Sequence, residues 1–391
     1  MQRIYMDYNA TTPLNPEVKE SFINALDIYA NGSSLYEDGR KGNKQIEIAR
    51  QKVATLIGAH SSNEIIFTSG GSESDNTVFN TMLSESKKRK RNLIVTTAIE
   101  HPAIMKSAAF LKEAGLDIIY LPVDKEGFVD MQAFDLAMQQ NPLLVAIMTA
   151  NNEVGTIMGV DKLCKKAHQA GALFHTDAVQ AIGKIPFNAK ELDIDYAAFS
   201  AHKIYGPKGM GALYVKNGAP IMPLIHGGEQ EHNLRAGTYN VPGIVAFGKA
   251  AELALGDIEL YATQVRNLRN SLRDGLWNSI PNIKLNGPIQ VGTDDKQSLP
   301  NTLDISFPGA EGESILLYLD LLGVDVSTGS ACASASLDGS PVLAALGLGP
   351  ELAHSSIRFS LGKFTTQQEV DYVIEKLPPI IDKLRKMSTI G

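Results

Sequence analysis

Cysteine is scarce: the 391 residues hold two, Cys164 and Cys332, too few for a disulfide framework and far apart along the chain. Such thiol usage suits a reducing compartment, and a cytoplasmic protein is expected. Long apolar runs are missing too. The longest, Leu143 to Met148, is well short of the ~18 residues that cross a bilayer, and no charged segment leads into an apolar core at the start, so neither a membrane span nor a cleaved leader is expected. An excess of positive charge is also absent. At a net charge of −7 the chain has no general attraction for nucleic acid or an anionic membrane, and neither is an expected partner. Its one basic cluster, Lys87-Lys88-Arg89-Lys90-Arg91, closes a helical pattern, where cations complement the helix dipole, and reads as solvated surface. No internal repeat is visible.

What is present is an alternation of short apolar runs with helical patterns. Glu64–Thr68, Leu93–Thr96, Ile118–Leu121, Leu143–Met148, Leu173–Asp177 and Tyr196–Ser200 read as strands, and residues such as Ile46, Ala49, Val53, Leu56 and Ile57 recur at helical spacing. This rhythm predicts an α/β fold with a mainly parallel sheet flanked by helices. A helical stretch from Val241 to about Leu276 then leads to a smaller α/β unit, with strands Leu303–Phe307 and Ser356–Ser360 and helices Glu311–Leu322 and Gln367–Lys386. A chain of this length is expected to form two domains around one site: a large one over 16–255, and a small one from 1–15 and 256–391.

Ligands of open α/β sheets bind at strand ends, and the reactive residue types fall there. Tyr196–Ser200 delivers His202 and Lys203 into the turn Gly206–Gly211, and the run Ala172-Leu173-Phe174 ends in Asp177, with Gln180 beyond. An amine and a carboxylate on successive strands meet the needs of pyridoxal phosphate, one for its aldehyde and one to keep its ring nitrogen protonated. Singly, Lys203 reads equally as a surface lysine and Asp177 as a helix cap. Between a strand and a helix, Gly70-Gly71-Ser72 aims N–H groups and a hydroxyl at an anion such as a phosphate, or is a plain turn. His101 is a satisfied polar group, or a ring that stacks on a pyridine and moves protons. Asn152 is a turn residue or a donor to a ring oxygen or a substrate carboxylate. Arg358, a charge in mid-strand, needs an anionic partner, either a substrate carboxylate or an internal Asp or Glu. Cys332, in a small-residue stretch expected to be mobile, is incidental or is a nucleophile once deprotonated from a free pKa of about 8.5. Asn9-Ala10-Thr11-Thr12 is a polar turn that could border the site.

Together with residues 67–74, Glu100-His101, 151–155, 175–180, 200–203, 235–238, 327–332 and 355–359, these motifs resemble those of the group I cysteine desulfurases, the pyridoxal-phosphate enzymes of the NifS and IscS kind, in order and over nearly the whole length. The resemblance implies the fold type I architecture of aspartate aminotransferase, and a homodimer with two sites at its interface. It implies that Lys203 holds the cofactor and moves the α-proton, Asp177 pairs with the ring nitrogen, Gln180 bonds the ring hydroxyl and His101 stacks on the ring. Gly71, Ser72, Ser200 and His202 would grip the phosphate, joined by the partner subunit's Thr238. Asn152 and Arg358 would hold the carboxylate of L-cysteine, and Cys332 would take its sulfur as a persulfide, releasing L-alanine. No metal takes part. A sulfur acceptor, such as an iron–sulfur scaffold or a tRNA-thiolation enzyme, follows. A selenocysteine lyase, an aminotransferase or a silent sulfur-carrier subunit would share the fold; intact Lys203, Asp177 and Cys332 weigh against the last. The chain departs from the family pattern at Gly32 (for proline), Tyr36 (for histidine), Glu229, His232 and Asn233, around the expected site mouth and dimer seam.

Overall fold

A computed structural model describes residues 3–329 and 339–387. A seven-stranded sheet dominates, in the spatial order Ile65–Thr68, Gly211–Val215, Tyr196–Ser200, Leu173–Asp177, Leu144–Ala146, Leu93–Thr97 and Asp117–Leu121. The last five are mutually parallel, and Gly211–Val215 runs against both its neighbours, so the sheet is mainly parallel as expected. The strands read as continuous apolar runs because both faces are covered. Alternate residues go to opposite faces: Val95, Val145, Phe174 and Ala197 join one apolar cluster, and Ile94, Leu144, Leu173 and Tyr196 join the other. The parallel strands end together at Thr97, Ala146, Asp177 and Ser200, which puts the residues singled out above along one edge.

The strand expected over Leu143–Met148 is assigned only at Leu144–Ala146, although Ile147 and Thr149 still donate to the carbonyls of His175 and Asp177. The helical run from Val241 is continuous through Leu260, one π turn at Tyr261–Val265, and Arg266–Ser279. The basic cluster is only partly the solvated surface expected. Lys88 and Arg89 pair with Glu85, and Arg91 donates to the carbonyls of Pro142 and Ala170, pinning two neighbouring loops.

The second unit carries a four-stranded antiparallel sheet, ordered Ser327–Thr328, Ser356–Ser360, Thr302–Ser306 and Lys284–Asn286. Its core gathers Leu303, Ile305, Ile357, Phe359, Val370 and Leu377 with Met6 and Tyr8 from the N-terminal segment. That segment pairs Ile4–Tyr5 with Val324–Asp325, then passes under the edge of the large sheet, where Asn15 and Thr12 bond the backbone around His202 and Tyr205. Residues 9–12 are thereby wedged between the two sheets, beside Lys203.

Candidate active site

A cavity of about 320 Å³ opens at the ends of the parallel strands, lined by residues from seven separate stretches of chain. Of the residues expected from sequence, Gly71, Ser72, His101, Asn152, Asp177, Gln180, Ser200, His202, Lys203 and Arg358 all line it. Thr238 does not; on a single chain it is exposed. Cys332 lies outside the described residues.

Lys203 follows the strand Tyr196–Ser200 on a single 3-10 turn, and its Nζ donates to the carbonyls of Asn9 and Ala10, the latter at 2.8 Å. The turn after it is tight because Gly211 rests on the opposing glycine: a Cβ there would meet Gly70 Cα at 2.5 Å. Gly70 precedes the 19-residue helix Gly71–Arg89, and a Cβ on Gly71 would meet Val179 Cγ2 at 2.7 Å, so bare backbone forms this part of the wall. A helix N-terminus flanked by Ser72, Ser200 and His202 suits a phosphate. His202 Nδ1 lies 3.1 Å from Thr11 Oγ1; burial, then the nearby lysines 203, 208 and 184, push its pKa down to about 4 and leave the imidazole neutral near pH 7.

The other end of the cavity is acidic and buried. Asp177 is 7% exposed, accepts from Val179 N at 2.9 Å and is lifted above the usual carboxylate range by burial, against the pull of His101 and Lys203. Behind it, burial and the charges of Asp177 and Glu100 raise Asp75 well above its ordinary value. Glu100 is pushed up to about 8 by burial, although Met148 N and Thr97 Oγ1 donate to it. His101 caps the helix Pro102–Glu113 by accepting from Ala103 N at Nδ1, 3.1 Å, which puts the proton of the neutral ring on Nε2. Burial keeps that ring's pKa low. One polar atom each of Asp75, His101 and Asp177 lies within 4.8 Å of the others.

Arg358 enters from the small sheet. Its guanidinium donates to Asp7 Oδ1 at 2.8 Å and to the carbonyl of Asn152 at 3.1 Å, while Nε is buried with no partner among the described residues. The internal carboxylate weighed as an alternative thus exists, and the arginine still faces the cavity.

These features fit pyridoxal phosphate. A carboxyl at the buried end meets a ring nitrogen, N–H groups and hydroxyls meet a dianion, and an amine stands on the same wall. Three residues of the site had no individual sequence signal: Asn9 within its turn, Asp75 in an otherwise ordinary helix, and Lys184. Asn9 is the hub, bonded by Gln180, Lys184, Lys203 and Asn301 and itself donating to the carbonyl of Asn152.

Among the departures from the family pattern, Asn233 holds φ +65°, a left-handed conformation that glycine tolerates best and asparagine next. Glu231 beside it is buried and clamped bidentately by Arg50, at 2.6 and 2.8 Å.

The sheet, its switch in strand direction and the lysine–aspartate cavity define a class. The chain belongs to the Aminotransferase class-V family, which it matches over residues 4–373. Within that class it is 47% identical over 390 residues to the cysteine desulfurase IscS of Clostridium botulinum (strain Hall), covering 100% of this chain and 97% of the relative. It is also 47% identical over 389 residues to the cysteine desulfurase IscS of Dictyoglomus turgidum, covering 99% and 96%. Among solved structures, a NifS-like protein superposes with a TM-score of 0.89 at 39% identity, over 98% of this chain and 100% of that one.

Proposed function

We infer that the protein is a pyridoxal phosphate-dependent cysteine desulfurase. The observation that carries this is the convergence of Lys203, Asp177, His101, Gln180, Asn152 and Arg358 on one cavity, in a chain that matches named cysteine desulfurases end to end. When bound, pyridoxal phosphate supplies an electron sink that stabilises negative charge at the α-carbon of an amino acid. Lys203 Nζ would hold it and carry the α-proton, Asp177 would pair with its ring nitrogen, and the His101 ring would lie against it. Gly71, Ser72, Ser200 and His202 hold the phosphate at the helix N-terminus. Arg358 and Asn152 orient the carboxylate of L-cysteine. The Cys332 thiolate attacks the substrate's sulfur: an S–S bond forms as the C–S bond breaks, and the bond pair stays on carbon, which takes a proton to give L-alanine.

The account extends to partners. A homodimer is supported by the exposed Tyr29, Leu35 and Tyr36 and by the exposure of Thr238, which would reach the partner's phosphate. The sulfur goes to an acceptor protein, an iron–sulfur scaffold or a tRNA-thiolation enzyme. No described helix is long and apolar enough to cross a membrane, in keeping with a cytoplasmic place of work. The division into 16–255 and 1–15 plus 256–391 is supported by the separate apolar core that unites Met6 and Tyr8 with the C-terminal unit.

Alanine release from L-cysteine in the presence of a thiol tests the function. The native chain should turn over repeatedly and Cys332→Ala should not; equal turnover removes Cys332 from the reaction, and none in either removes the activity.

A further inference from the structure

Lys184 takes no part in the reaction as described, yet it is 1% exposed and lies directly behind the cavity wall. The buried cations Arg50, Arg269, Arg273 and Lys363 each face a carboxylate. Lys184 faces none among the described residues, so hydrogen bonds alone hold its amine. Its Nζ donates to Gln180 Oε1 at 2.6 Å and to Asn9 Oδ1 at 3.3 Å. Burial, with the cations of Lys203 and Arg358 behind it, holds this amine well below its ordinary pKa, and a lysine amine donates hydrogen bonds whether charged or neutral.

Two bonds together settle which way the Gln180 amide turns: Lys184 donates to Oε1, and the Asn9 carbonyl, which can only accept, takes a hydrogen from Nε2. With its oxygen held by Lys184, its nitrogen faces the other way and gives one hydrogen to the carbonyl of Asn9 at 3.0 Å. The second N–H is left for the cavity that Gln180 lines. We propose that Lys184 is a positioning residue that locks Gln180 as a hydrogen-bond donor toward the ring oxygen of pyridoxal phosphate. This role rests on the function proposed above. The reversed amide would set a carbonyl against an electron-rich ring oxygen, two acceptors face to face. Because Lys203 also reaches Asn9, one buried asparagine registers the positioning lysine against the amine that holds the cofactor.

The test is a double-mutant cycle read by titration of the cofactor-free full chain with pyridoxal phosphate. Lys184→Met and Gln180→Ala should each weaken binding about tenfold, the effect of one misplaced charge-assisted bond. The double variant should be no weaker than the poorer single by more than about twofold, since both act through one contact. Lys184→Gln keeps a donor for Oε1 and should bind within about threefold of the native chain. Losses that multiply, native affinity in Lys184→Met, or a tenfold loss in Lys184→Gln overturn the proposal; the last also decides the matter should Lys184→Met not fold. Failure of the functional reading looks different, as a native chain that takes up no pyridoxal phosphate. The same cycle, read by urea unfolding of the cofactor-free protein, then still reports on the Lys184–Gln180 contact: strict additivity refutes it.

Discussion

Replacing Arg358 by lysine probes how substrate is held. The guanidinium is divided among Asp7 Oδ1 at 2.8 Å, the Asn152 carbonyl at 3.1 Å and a buried Nε that has no partner among the described residues. A carboxylate entering the cavity meets a planar fork already oriented by two protein acceptors, so little ordering remains to be done on binding. Lysine at this position has one nitrogen to share between Asp7 and the substrate. One charge-assisted hydrogen bond of about 1.5–3 kcal/mol is lost, equivalent to a rise of roughly 10- to 150-fold in KM for L-cysteine. Since the carboxylate keeps its charge throughout the reaction, kcat should stay within about threefold of the native value. Initial rates of alanine release across cysteine concentration give both constants, with bound pyridoxal phosphate monitored by its absorbance. An unchanged KM with a collapsed kcat, or loss of the cofactor, would refute the assignment of Arg358 to the substrate carboxylate.

Three further outcomes are expected. Glu231→Ala leaves Arg50 buried without its bidentate partner and Phe67 N–H without its acceptor at 2.7 Å; the urea-unfolding free energy should fall by about 3–5 kcal/mol, while a loss below about 1 kcal/mol would show that the pair is not the clamp on the Ile65–Thr68 strand. Asp304 is buried, its Oδ1 held by Asn286 and its pKa pushed up to about 7, mainly by burial. Because the folded-state value is the higher one, its contribution is complete below about pH 4 and is lost as pH rises through about 7, so the native chain should lose up to roughly 4 kcal/mol relative to Asp304→Asn across that window; parallel stability curves for the two would contradict this. Asp177→Asn, which cannot ionise opposite the ring nitrogen, should retain bound pyridoxal phosphate less tightly and release alanine at least about a hundredfold more slowly; a fully active variant would move the ring nitrogen away from position 177.

Much of this was legible in the residues because the relevant signals are local. Asp177 and Lys203 each close a short apolar run, and a run buried on both faces announces its own end. The Gly70-Gly71-Ser72 turn marks the boundary between strand and helix in the same way. Asp75 and Lys184 were not legible, because a charged residue within a mixed pattern reads as a solvent-facing position until the fold buries it. Arg91 departs from the expected solvated surface for the same reason: its neighbours in the basic run are exposed, but its own partners, the carbonyls of Pro142 and Ala170, are distant in sequence. Asn9 shows the limit of local reasoning most clearly. Its turn was noticeable, but its position as the meeting point of Gln180, Lys184, Lys203 and Asn301 depends on a crossing of the N-terminal segment between two sheets that no short window contains.

Borohydride reduction of the protein loaded with pyridoxal phosphate, followed by peptide mapping, tests most directly which amine carries the cofactor. The pyridoxyl adduct is predicted on Lys203, in the peptide that begins after the strand Tyr196–Ser200. An adduct on Lys184, the other amine bonded to Asn9, or no adduct at all, would contradict the account.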